Sequence, residues 1–222
     1  MAAKPIQTAE EAGSKKTFRW AIDWPGWVRA GKDPELARDA LIAYAPRYAL
    51  IAAEARLAFA GTITAEDLDL VDSVPGGSGT DFGVPSVVVP SDRRPVDPGE
   101  AERLARLVEA AWAVFDRVAA AAPGELRKGP RGGGRDTAKM VGHVVESDHY
   151  YAREIGVRLT QPSPDDGEAV SAERGAMLEV LRRPSDGSPL ADRTWTARYA
   201  ARRIAWHALD HAWEIEDRTE PA

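Results

Sequence analysis

Apolar and polar residues alternate from Phe18 through Arg19, Trp20, Ala21, Ile22 and Asp23 to Trp24, the period of a half-buried strand, and Pro25-Gly26 ends the run. Asp33 followed by Pro34 predicts a capped helix through Leu36, Ala40, Leu41 and Tyr44, with a second helical stretch over about 46–59. Strand signals return at 68–74 and 86–89, on either side of the glycine-rich PGGSGTDFGVP. From Pro98 onward the period is helical. Leu104, Leu107, Ala111, Val114 and Val118 form one stripe over 99–122, and Asp136 with Thr137 opens a helix to about 155. Val170, Met177 and Leu181 mark a third helix over 168–183, and a fourth spans about 191–218.

These elements predict an α+β chain: a small N-terminal βα-type domain over 16–90, followed by an antiparallel four-helix bundle over 97–220. The polar residues 1–15 read as a disordered tail, and SDRRPVDPGE (91–100) as a linker and domain boundary. Large aromatics dominate small cores, so Trp24, Trp27 and Tyr44 are expected in the βα core ahead of any ligand pocket.

Composition narrows the chemistry. The chain of 222 residues has no cysteine, which excludes disulfides, thiolate ligands and cysteine nucleophiles; a metal would need histidine, carboxylate or water. A net charge of −6 argues against a general polyanion binder, so no nucleic-acid partner is expected. No apolar run approaches the ~18 residues of a membrane span, and MAAKPIQTAEEAGSKK has no signal-peptide core. No membrane partner and a cytoplasmic location are therefore expected. The glycine-rich stretch lacks the Lys-Ser/Thr ending of a phosphate loop.

Candidate chemistry concentrates in the last helix. His207 and His211 stand one turn apart, offset by about 40° around the axis, on the side that carries Ala200, Ile204, Ala208 and Ile215. Two inward imidazoles need partners, either a metal or hydrogen bonds to Asp210, Glu214 or a backbone carbonyl. In the second helix His143 groups with Met140, Ser147, Tyr150 and Tyr151, whereas His149 lies about 120° away. His143 would complete a three-histidine cluster with one position open, the pattern of a catalytic metal. Arg127, Lys128, Arg131 and Arg135 precede that helix and offer a grip for an acidic group. Trp195, Tyr199, Trp206 and Trp213 form a second stripe on the last helix, to be covered by the N-terminal domain or by a second copy in a homodimer.

Two resemblances accompany these patterns. AIDWPGWVRAGKDPELARDALIAYA resembles the strand, Pro-Gly turn and helix of HicB-like small antitoxin domains, which implies that local fold. MVGHVVESDHYYAREIG, with RRIAWHALDHAWEIEDR some sixty residues later, resembles the signature of the DinB/YfiT-like superfamily of metal-binding four-helix bundles. That resemblance implies a divalent metal, zinc or nickel, on His143, His207 and His211, and small-molecule chemistry of the S-transferase or isomerase kind on an electrophilic substrate. A low-molecular-weight thiol is the implied co-reactant, with Glu146 or Glu214 as the nearby base. Many relatives end the motif with an Arg-Gly-Gln-type sequence where this chain has Trp213, Glu214, Ile215, Glu216 and Asp217. A non-enzymatic interaction protein with a degenerate site is the alternative.

Overall fold

Residues 4–128 and 134–219 are described by the computed structural model. Ile6–Ala12, expected to be disordered, forms strand β1 and lies between two neighbours in a four-stranded mixed sheet of order β3-β2-β1-β4. Its polar side chains are buried because each finds a partner. Thr8 donates to the Asp69 carbonyl and accepts from the Arg19 guanidinium, which also bonds Glu10. Glu11 accepts from the Thr80 hydroxyl and from the backbone N–H groups of Ser86 and Val87. Polarity that reads as disorder in one dimension is here a satisfied interior network.

β2 (Thr17–Ala21) runs antiparallel to β1, with Trp20 opposite Ala9. The Pro-Gly turn leads into an additional short strand, β3 (Val28–Gly31), also antiparallel to β2. α1 (Pro34–Ala43) starts where expected, the Asp33 side chain accepting from Leu36 N, and α2 (Ala45–Glu54) follows one residue later. Trp27 is fully buried, stacks on Tyr48 at 5.7 Å between ring centroids and donates its indole N–H to the Leu41 carbonyl. It belongs to the core, and Trp27→Ala is expected to cost about 3–5 kcal/mol, the usual range for a buried Trp truncation. Chemical denaturation would measure the shift; a loss below about 1 kcal/mol would show that this region is not part of the cooperative core.

β4 (Leu68–Pro75) pairs in parallel with β1. The glycine-rich stretch contains a short helix, α3 (Ser78–Phe82), closed by Gly83 at φ 117°, a left-handed conformation that favours glycine. The stretch 86–89 is not a strand, because the Glu11 carboxylate takes the N–H groups that a neighbouring strand would have bonded. The expected linker at 91–100 is clamped to the body of the protein. Asp92 pairs with Arg202 at 2.6 Å, both side chains being almost wholly buried.

α4 (Pro98–Ala121) packs along α7 (Ala197–Thr219) and also meets α2 and α6 (Gly167–Leu181); α5 (Thr137–Glu154) lies against α7 and α6. α7 begins at 197 because the Thr196 hydroxyl accepts from Tyr199 N, after a turn in which Ala191 and Asp192 have positive φ. The fold is thus α+β, a mixed sheet and seven α-helices among the described residues. A single apolar cluster runs from Trp27 and Tyr48 through Leu104 and Phe115 to Ile204. The aromatic stripe of α7 is covered from within the chain: Phe18 meets Trp206 edge-on at 6.0 Å, and Tyr44 meets Trp213 at 5.0 Å. Among the described residues, no helix is long and apolar enough to cross a membrane.

Candidate metal centre

α5 and α7 bring three histidines onto one wall of a pocket of about 520 Å³. His207 is buried, while His143 and His211 are half-buried. Each offers a ring nitrogen, and the three lie within 4.8 Å of one another. His143 Nε2 and His207 Nε2 are 3.2 Å apart. Two nitrogens held at 2.0–2.1 Å by one tetrahedral ion would be about 3.3 Å apart, so this pair fits such an ion. The donor set fits as well, since three imidazoles with one open position make a recurrent catalytic zinc site.

Their surroundings favour the neutral, metal-binding form of His207 and His143. Burial, then the charges of His211, Arg203, His143 and Arg135, push His207 well below its ordinary range. Burial, followed by Arg135 and His211, also lowers His143, with Glu146 and Glu214 opposing. Neutral rings present lone pairs instead of N–H donors.

The two carboxylates expected as bases take different positions. Glu214 Oε2 lies 3.1 Å from His211 Nδ1, and its other oxygen accepts from Arg218. The His211 hydrogen bond is the main cause that holds Glu214 below the usual carboxylate range. Such a carboxylate fixes the ring of a ligand and is a weak proton acceptor. Glu146 is exposed on the rim of the same pocket and makes no hydrogen bond among the described residues. His149 faces α6, its Nδ1 2.7 Å from Glu173 Oε1, and takes no part in the cluster.

Of the basic residues before α5, Arg135 lines the pocket, while Arg131 lies outside the described residues. Arg127 donates to the Asp217 carbonyl and Lys128 pairs with Asp136, so both are spent on local structure. Sequence reasoning missed the segment Phe82-Gly83-Val84, which forms one lip of the pocket, and Arg203, one turn before His207. The glycine content of the segment marks a loop, but only the tertiary pairing with Glu11 brings it here.

A second hollow, of about 440 Å³, lies between α4, α5 and α6. Its buried Arg174 bonds Asp148 at 3.0 Å and both oxygens of Asp116. Burial pushes Asp148 up to about 6 against the opposing pull of Arg174. The folded state therefore holds this proton more tightly than the unfolded chain, whose carboxyl titrates near 3.8. The contribution is most favourable below both values and is lost as pH rises from about 4 to 6. Relative to wild type, Asp148→Asn should gain stability across that window, by roughly 3 kcal/mol for a two-unit shift, and stay level above pH 7. Denaturation of both proteins at pH 4.5 and 7 would measure it; a pH-independent difference would refute it.

No protein-family model, curated protein or solved structure matches the chain.

Proposed function

We propose that the protein is a divalent-metal-dependent enzyme of the DinB/YfiT-like kind, with α4 to α7 arranged as an antiparallel four-helix bundle and zinc or nickel held by His143, His207 and His211. One observation carries the reading: three imidazole nitrogens converge within 4.8 Å on the wall of an open pocket. Held by these three residues, a divalent ion would supply Lewis acidity, enough to make a water or thiol nucleophilic near neutral pH. The chain does the rest. Glu214 orients His211, and Glu146 on the rim moves a proton. With no cysteine in the chain, a thiol nucleophile comes from a small co-reactant, and the substrate is a small electrophile.

The interaction-protein alternative has two motives: the aromatic stripe, which Phe18 meets at Trp206 and Tyr44 at Trp213 within the same chain, and the departing motif ending from Trp213 to Asp217, which stands. Elemental analysis of protein purified without a histidine tag tests the proposal, with about one zinc or nickel per chain expected. Absence of stoichiometric metal, together with no uptake of either ion by calorimetry, would overturn it.

A further inference from the structure

Arg203 is 9% exposed, lies one turn before His207 and lines the same pocket. It makes no hydrogen bond or ion pair with any described residue, and its Nη1 is sealed from solvent without a partner. Arg202 also has a buried Nη1 without a partner, but the other buried arginines of α7 are neutralised: Arg198 pairs with Glu100 and Asp23, and Arg202 with Asp92. Arg203 has only ring faces, Trp206 at 4.7 Å and Tyr151 at 5.4 Å. Aromatic faces attract the cation but accept no hydrogen bond along the guanidinium edge. The pocket's own carboxylates leave it unneutralised, since Asp210 is paired with Arg29 and Glu146 is not within ion-pair distance of it. A desolvated guanidinium calls for an anion from outside.

We propose that Arg203 binds a carboxylate of the small molecule on which the histidine pocket acts; this rests on reading that pocket as a substrate site. With Nη1 sealed, the Nε–Nη2 edge of this recessed guanidinium is the one that can meet the planar fork of one carboxylate. Phe82 and Tyr150, 88% and 59% exposed at the mouth, suit an apolar or aromatic body attached to it. The ligand class is therefore an aromatic or otherwise apolar monocarboxylate.

Benzoate and its neutral isostere benzamide probe this in the full-length protein after removal of metal by chelation, so that no ion can take the carboxylate. Calorimetry should show saturable benzoate binding, with benzamide at least tenfold weaker. Arg203→Met should weaken benzoate at least tenfold, and Arg203→Lys should recover only part of the loss. The benzoate–benzamide comparison needs no variant and stands if Arg203→Met folds poorly. No saturable benzoate binding, equal binding of benzamide, or a folded Arg203→Met with unchanged affinity would overturn the proposal. Inorganic phosphate displacing benzoate at lower concentration than benzoate's own would overturn the carboxylate assignment. A parallel zinc titration separates the two readings. Zinc uptake with benzoate indifferent to Arg203 sinks the carboxylate site alone, whereas Arg203-dependent benzoate binding without zinc uptake sinks the metal reading and leaves the anion site standing.

Discussion

His207→Ala is expected to abolish stoichiometric metal binding while leaving the protein folded. Loss of a residue that only orients a ligand weakens metal sites about 10–100-fold, and loss of a ligand itself should exceed that. Glu214→Gln, acting through His211, should fall inside the smaller range. The fold survives the first change because His207 contributes little to it: its Nδ1 is buried without a hydrogen-bond partner, and its ring borders an open pocket. Truncation removes an unsatisfied polar atom and enlarges space already present. The metal-free forms of variant and wild type should accordingly melt within a few degrees of each other. Added zinc should raise only the wild-type melting temperature, since an ion stabilises the state that binds it. Full metal content in His207→Ala would show that the ligand assignment is wrong.

A chain beginning at residue 97 should lose solubility or melt far below the full protein. Phe18, Trp20, Ile22 and Val28 share one cluster with Trp206, and Tyr44 covers Trp213. Each large apolar side chain exposed forfeits about 1.5–3 kcal/mol, and several together rival the 5–15 kcal/mol that holds a typical domain. α7 is buried on almost every side from Ala197 to Leu209, so its sheet-facing side has no substitute cover in α4 to α6. Light scattering and thermal melting decide the matter. A monomeric fragment as stable as the parent would show that the N-terminal half merely rests on α7.

The parts legible in the sequence are those whose signal is local. The start of α1 follows from Asp33 before a helical period; α5 opens after Asp136 as expected, although that side chain accepts from Leu126 N and Lys128 instead of capping the helix; and the His207–His211 spacing with His143 in core-like company points to one cluster. The parts that were not legible depend on distant partners. β1 is polar and gains its burial from Arg19 on the next strand and from Ser73 and Thr80, 63 and 69 residues from their partners Glu10 and Glu11. Glu146 and Glu214 each follow a histidine by three residues, so spacing could not tell the free carboxylate from the one bonded to its neighbour. Arg203 sits in an arginine pair whose members look alike in one dimension, yet one meets Asp92 and the other has only aromatic rings for company.

The polar centre of the sheet bears on how the chain is made. Glu11 holds the backbone of Val87, 76 residues away, and the Val87 carbonyl in turn accepts from Arg202, a further 115 residues on. Contacts between such distant segments form late. During synthesis β1 therefore leaves the ribosome long before its parallel neighbour β4, and longer still before α7. A strand that must wait with its edge open is safest when charged. The charges of Glu10 and Glu11 suit a nascent segment that must stay hydrated and apart from other chains; in the folded protein Glu10 bonds Ser73 within the sheet, and Glu11 ties the lip of the histidine pocket to it.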